Sequence, residues 1–334
     1  MASRAVLVTG GAGYVGSHAC KALARAGYLP VVLDNLQRGQ GSAVRFGPLI
    51  EADVGDSATV SAALREYAPC GVIHFAAFAY VGESVQAPGM YWRNNVEQGI
   101  RLLSAISDYG RIPVLISSSC ATYGIPEAIP VAEQAPQRPI NPYGESKLAL
   151  ERCLQDFTRA SALNGLSLRY FNAAGADPDG ELGEVHEPEP HLIPRAMMAA
   201  AGKLEALDVY GNDWPTADGS CIRDYVHVHD LALAHRVALE CLLAGKTLAP
   251  AYNLGTGKGH SVFEVIHAVE RVSGRSVPYR VSKRRDGDPA ILVANPDAAR
   301  TELGFECSRS DLGSIVADAW RFHCDHWGLR DSHV

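Results

Sequence analysis

The chain has 334 residues, of which 47% are hydrophobic and 20% charged, with a formal net charge of −7. That is enough chain to bury one large α/β core or two smaller ones without staples. The acidic balance and the lack of a Lys/Arg run argue against a nucleic-acid binder or a lipid-docking protein, and no apolar run is long enough for a membrane span. The apolar stretch after Met1 is too short for a signal-peptide core. The eight cysteines are scattered, with no Cys-x-x-Cys. They read as reduced thiols of a cytoplasmic protein, with no disulfide framework and no zinc site, and no metal is expected.

The predicted elements alternate. Strands are expected at Ala5–Thr9, Pro30–Asp34, Leu49–Asp53, Val72–Phe75, Val114–Ser118 and Leu166–Phe171. Several are continuous apolar runs, as in strands covered on both faces. Helical periodicity falls at Val15–Ala26, Asn95–Asp108 and Tyr143–Thr158, the first ending before Gly27, a suitable C′ residue. This alternation predicts a Rossmann-like, doubly wound parallel sheet of the α/β class. Asn172–Pro190 is rich in Gly, Pro and acidic residues and reads as loop. Beyond it, strands are expected at Leu207–Tyr210, Cys221–Val226 and Ala251–Leu254. Helices are expected near Ile193–Gly202, Leu231–Leu243, Val262–Ser273 and Leu312–Trp327. The boundary is placed near Asn172. Residues 1–172 would form the nucleotide-binding domain and 173–334 a smaller mixed α/β lobe that lends elements back.

Gly10, Gly13 and Gly16 stand at three-residue spacing, directly after the first strand and at the start of a helix. Gly10 permits a tight turn, Gly13 close approach of backbone to a pyrophosphate, and Gly16 close helix–strand packing. The helix N-terminus offers free N–H groups to the phosphates. Asp34 closes the second strand, placed to accept both ribose hydroxyls and to repel a 2′-phosphate, which favours NAD over NADP. Arg38 is a counter-signal, since an arginine near this turn can pair with that phosphate.

Tyr143 and Lys147 lie four residues apart, on one helical face. A free phenol is a poor base at neutral pH. An adjacent ammonium and an oxidised nicotinamide would lower its pKa, letting it take a hydroxyl proton while hydride leaves the same carbon. Ser119, at the end of the fifth strand, offers a hydroxyl to the same substrate oxygen.

With these residues in this order, the chain resembles the extended short-chain dehydrogenase/reductases, and within them the UDP-galactose (UDP-glucose) 4-epimerases. The likeness rests on Thr9–His18, Asp34-Asn35, His74–Ser84, Ser117–Gly124, Asn141–Lys147, Arg169–Gly175, Arg223–Val228, Tyr252–Gly257 and Arg284–Pro289. It implies a catalytic set of Ser119, Tyr143 and Lys147. It implies NAD contacts from Gly10, Gly13, Tyr14, Val15, Gly16, Asp34, Asn35, Asp53, Val54, Phe75, Ala76, Ala77, Asn94, Ser117 and Tyr170, with Tyr143 and Lys147. It implies contacts to the UDP-sugar from Asn172, His191, Leu192, Tyr210, Arg223, Arg285, Asp288 and Leu292, besides Ser119 and Tyr143. A homodimer is also implied. Arginines such as Arg223 and Arg285 suit a diphosphate by charge.

Three positions depart from one branch of the family: His191 for an asparagine, Ala79 for a lysine, and Leu292 at a pocket gate that varies in size. They bear on the preferred sugar. A dehydratase of this superfamily would carry Asp-Glu after the strand-five hydroxyl, where Cys120-Ala121 stands. A non-catalytic binding protein would not need Ser119, Tyr143 and Lys147 together. A UDP-xylose/UDP-arabinose 4-epimerase shares every catalytic residue and is the nearest alternative.

Overall fold

The computed structural model describes residues 4–160, 163–285 and 288–329. In chain order the elements are β1 (Ala5–Thr9), α1 (Tyr14–Arg25), β2 (Leu29–Asp34), β3 (Leu49–Glu51), α2 (Ser57–Tyr67), β4 (Gly71–His74), α3 (Val81–Gln86), α4 (Pro88–Tyr91), α5 (Gln98–Tyr109) and β5 (Pro113–Ser119). There follow α6 (Pro142–Arg159), β6 (Asn164–Tyr170), β7 (Asn172–Ala174), α7 (Leu192–Ala200), β8 (Leu207–Tyr210), β9 (Ile222–Arg223), β10 (Tyr225–His227) and α8 (Val228–Leu243). The last are β11 (Ala251–Leu254), β12 (His260–Ser261), α9 (Val262–Ser273), β13 (Tyr279–Ser282), β14 (Ile291–Leu292) and α10 (Leu312–Trp327).

Seven strands make one parallel sheet in the order β11-β6-β5-β4-β1-β2-β3. The chain runs one way from β1 to β3, then crosses to β4 and runs the other way, so the order reverses between β1 and β4. Ligands of open α/β sheets sit at such a switch point, beyond the carboxyl ends of the strands. Both faces of the sheet are covered. One is packed around Val8, Leu23, Ile73, Leu115, Leu231 and Leu254, the other around Leu7, Leu33, Leu64, Leu103, Ile116 and Leu154. That two-sided burial is why β1, β2, β4 and β5 read as unbroken apolar runs. A separate apolar cluster joins Ile193, Met197, Val265, Val269, Ile315 and Trp320 from α7, α9 and α10.

Gly27 follows the end of α1 with a φ of 80°, the left-handed C′ conformation its position predicts. Several expectations need correction. The loop expected from Asn172 begins with a strand: β7 pairs in parallel with β10. The single strand expected over Cys221–Val226 is two, β9 and β10, broken at Asp224. Its carboxylate turns aside to accept from the N–H groups of Thr256, Gly257 and Ala294. The helix expected from Asn95 begins earlier, in a π-helical turn over Trp92–Glu97. Ser57–Tyr67 carries a helix that the sequence reading did not place, started by the Asp56 carboxylate accepting from the Ala58 and Thr59 N–H groups.

Candidate active site

The glycine turn lies at the switch point. Gly10 has a φ of 72°, and a Cβ there would meet the Ala76 backbone; one on Gly16 would meet the Gly10 carbonyl. No other residue fits either place. The two flanking strand ends are joined by Thr9 and His74, whose Oγ1 and Nδ1 lie 2.7 Å apart. Asp34 is buried at the end of β2. Its Oδ2 accepts from the Ala12 N–H (3.0 Å) and its Oδ1 from the Leu36 N–H (2.9 Å). Burial raises its pKa, and these two N–H groups pull the other way. The Asn35 amide donates to Asp53 Oδ2 (3.3 Å), whose other oxygen accepts from the Gly55 N–H.

Arg38 does not turn toward Asp34. Its guanidinium pairs with Glu83 and lies over the rings of Phe78 and Tyr80. The counter-signal read from the sequence therefore points elsewhere.

At the other side of the switch point, α6 starts at Asn141, whose Oδ1 accepts from the Gly144 N–H (2.9 Å), with Pro142 in the first turn. That cap sets Tyr143 at the helix entrance and Lys147 one turn on. Lys147 Nζ donates to the Ser117 carbonyl (2.8 Å) and lies 5.9 Å from the Tyr143 ring centroid. The Ser119 hydroxyl hydrogen-bonds toward Tyr143 and lowers its pKa, but burial outweighs it and pushes the phenol up to about 12. Burial also brings the Lys147 ammonium down to about 8. In the protein by itself desolvation dominates, and the lowering expected from the sequence requires Lys147 together with an oxidised nicotinamide.

Ser119, Tyr143 and Lys147 are brought together with Ser117. Beneath them Glu151, fully buried two turns along α6 from Tyr143, pairs with Arg169 (2.7 Å) and accepts from the Ser118 hydroxyl. This clamps the end of β5 to α6. The sequence reading missed Glu151; its eight-residue offset from Tyr143 on a helical face was the available signal. Tyr170 is buried, its hydroxyl bonded to His235.

The residues expected at the sugar end lie on β7, β8, β9 and β14, at the start of α7 and in the segment between β13 and β14. Asn172 Oδ1 is buried without a hydrogen-bond partner. A buried acceptor left open in this way fits a donor supplied by a ligand. Arg223 NH2 lies 3.3 Å from Asp288 Oδ1, and the Arg285 guanidinium sits 3.9 Å over the Tyr210 ring. Leu292 pairs in register with Arg223 and packs beside Cys120, Tyr123 and Phe171. His191 is the residue just before α7, and its Nδ1 faces two carboxylates, Glu184 (2.8 Å) and Glu189 (2.9 Å). Ala79 is exposed. Asp286 and Gly287, inside the quoted Arg284–Pro289 stretch, lie outside the described residues.

Residues 6–255 match the model of the NAD dependent epimerase/dehydratase family. The chain is 47% identical over 323 residues to the UDP-glucose 4-epimerase of Rhizobium leguminosarum bv. trifolii, covering 97% of this chain and 98% of that one. Its fold is similar to the crystal structure of UDP-glucose 4-epimerase from Brucella ovis in complex with NAD. There the TM-score is 0.93 and the identity 52%, over 98% of this chain and 99% of that one. It is also similar to the UDP-glucose 4-epimerase of Stenotrophomonas maltophila with bound NAD and formylated UDP-arabinopyranose. That match has a TM-score of 0.93 and 40% identity, over 97% and 98% of the two chains.

Proposed function

The chain belongs to the NAD dependent epimerase/dehydratase family, and from that premise we propose that it is an NAD-dependent UDP-sugar 4-epimerase acting on UDP-glucose and UDP-galactose. The observation that carries this is the pairing of Tyr143, Lys147 and Ser119 with the glycine turn at one switch point, with Cys120-Ala121 where a dehydration acid would stand. Without an acid to protonate a leaving hydroxyl, the redox step leads back to alcohol.

Gly10, Gly13, Tyr14, Val15, Gly16, Asp34, Asn35, Asp53, Val54, Phe75, Ala76, Ala77, Asn94, Ser117 and Tyr170 are proposed to hold NAD. The Gly10 and Gly16 cradle and the doubly bonded Asp34 carboxylate support this, because each Asp34 oxygen keeps a lone pair for a ribose hydroxyl. Bound NAD supplies the hydride acceptor and donor for the sugar's C4. Tyr143 takes the C4 hydroxyl proton and returns it. Ser119 orients that oxygen, and Lys147, anchored on the Ser117 carbonyl, places a positive charge near the phenol. Arg223 and Arg285 are proposed to take the diphosphate. Asn172, His191, Leu192, Tyr210, Asp288 and Leu292 would frame the rest.

The division into 1–172 for NAD and 173–334 for the nucleotide sugar is part of this proposal, with α8 and β11 returning to the first unit. So are a cytoplasmic location and a homodimer. None of the eight cysteines is in a disulfide, and no helix among the described residues is long and apolar enough to cross a membrane. Trp92 and Ile100 are exposed apolar side chains that suit contact with a second copy.

The deciding assay gives the purified protein UDP-galactose, UDP-arabinose, UDP-GlcNAc and UDP-glucuronate in parallel. The expected result is efficient turnover of UDP-galactose. Faster turnover of UDP-arabinose would favour the pentose enzyme instead, an alternative kept open because the S. maltophila relative holds a pentose derivative. Denaturing the protein as purified should release NAD(H). Full epimerisation by a preparation with neither bound nor added nicotinamide would refute the redox route.

Leu292 is expected to limit bulk at the sugar's C2. Leucine is larger than serine and smaller than tyrosine, so Leu292→Ser should raise, and Leu292→Tyr lower, the kcat/KM ratio of UDP-GalNAc to UDP-galactose. A single apolar pocket change alters discrimination by about 1–3 kcal/mol, roughly 10–200-fold. Leu292 also packs in a small apolar cluster. If the ratio stays flat in folded variants that have merely lost stability, Leu292 is packing and not a gate.

A further inference from the structure

Two groups of acidic side chains lie in the loop between β7 and α7. In the first, Asp177, Asp179 and Glu181 converge, and the Lys21 ammonium already fills the space between them at 2.5, 2.7 and 2.6 Å. The second is different. Glu184, His186, Glu189 and His191 each offer one ligand atom, all within 4.8 Å of one another. Glu184 and Glu189 are nearly buried, with side chains 5% and 7% exposed. Among the described residues no lysine or arginine forms an ion pair with either. Two buried carboxylates facing each other need positive charge close by. Here their partners are the Nδ1 atoms of two imidazoles, with the His191 backbone N–H also donating to Glu189 (2.9 Å).

We propose that Glu184, His186, Glu189 and His191 form a structural divalent-cation site with zinc as its ion. Two imidazole nitrogens and two carboxylate oxygens are a zinc donor set, and they neutralise the ion's charge. With bonds of about 2.0–2.2 Å, a tetrahedral site has donor–donor edges of about 3.3–3.5 Å. The protein sets His186 Nδ1 at 3.4 Å from Glu184 and 3.3 Å from Glu189, and His191 Nδ1 at 2.8 and 2.9 Å from the same two. Of these four histidine–carboxylate edges two already match, and the other two need to open by about half an ångström. The donors fall in eight consecutive residues, Glu-x-His-x-x-Glu-x-His, with Pro188 and Pro190 restricting the backbone between them. The Val185 carbonyl, inside the same loop, accepts from the Gln40 side chain (3.3 Å) beyond the glycine turn. An ion here would clip the entrance of α7 and hold this loop against the cofactor side. Cysteine spacing pointed to no metal site; these donors are nitrogen and oxygen, and lie in a stretch read from sequence as plain loop.

The test reads metal content and thermal stability, so it stands apart from the proposed activity. The purified full chain is stripped with a chelator, desalted, titrated with zinc sulfate and assayed by elemental mass spectrometry. One tightly held zinc per chain is expected, with a rise in Tm of at least about 3 °C at a hundred-fold excess over Kd. His186→Ala and Glu184→Gln should each lose the bound zinc and the Tm rise, and Asp179→Asn, in the Lys21-filled group, should keep both. Either variant suffices if the other does not fold. Stoichiometry that is absent in the parent protein, or retained in a folded His186→Ala or Glu184→Gln variant, would overturn the site.

Discussion

Tyr143→Phe is expected to lower kcat for UDP-galactose epimerisation by about 10²–10⁴, the usual contribution of a general acid/base group, with the fold intact. In the proposed reaction the phenol takes the C4 hydroxyl proton, and phenylalanine keeps its packing without the oxygen. Burial holds the phenol near pKa 12, so roughly one molecule in 10⁵ carries phenolate at neutral pH in the protein alone. Positive charge beyond that of Lys147, as an oxidised nicotinamide would supply when bound, must therefore shift that balance. The Lys147 pKa of about 8 leaves that residue mostly protonated at pH 7. Lys147→Ala should accordingly cost activity as well, and weaken cofactor retention, with Ser117 left without its donor. Circular dichroism and Tm establish folding; a coupled assay reads kcat. A folded Tyr143→Phe variant with near-normal kcat would mean that the base is another group.

What the sequence displayed of this site follows from how local each signal is. The glycine turn, Asp34 and the Tyr143/Lys147 pair each lie within one strand–turn–helix passage, so spacing alone places them. The end of α1 at Gly27 is legible for the same reason. The pairing of β7 with β10 was not. Three-residue strands carry no readable period, and their partners lie some fifty residues apart in sequence. The break at Asp224 was hidden because its cause is distant: N–H groups of Thr256, Gly257 and Ala294 draw the carboxylate away from strand geometry. Charge partners behave likewise. Arg38 looked like a phosphate ligand because Glu83 is 45 residues away, and the direction of the Tyr143 shift depended on burial, which a four-residue spacing does not report.

Asp34→Gly is expected to weaken NAD and to improve NADP relative to it. Two hydrogen bonds from ribose hydroxyls to a carboxylate contribute about 1.5–3 kcal/mol each, so NAD should weaken at least tenfold. A 2′-phosphate within about 4 Å of the carboxylate would be opposed by about 4 kcal/mol at an effective dielectric of about 20, and that opposition disappears with the side chain. Space reinforces charge here. The chain after β2 folds back so closely that a Cβ on Gly39 would lie 3.0 Å from both Asp34 oxygens, leaving little room for an added phosphate. The exchange should stay incomplete in the single variant, because Arg38 remains held by Glu83 and by the rings of Phe78 and Tyr80. Releasing it with Glu83→Gln in the Asp34→Gly background should shift preference further toward NADP. The measurement is the ratio of NAD to NADP dissociation constants on cofactor-stripped protein, for the parent, the single and the double variant. A ratio unchanged by Asp34→Gly in folded protein would place cofactor choice outside this carboxylate. A shift in the single variant with none added by the double would confine it there and leave Arg38 as a strut between the turn after β2 and α3.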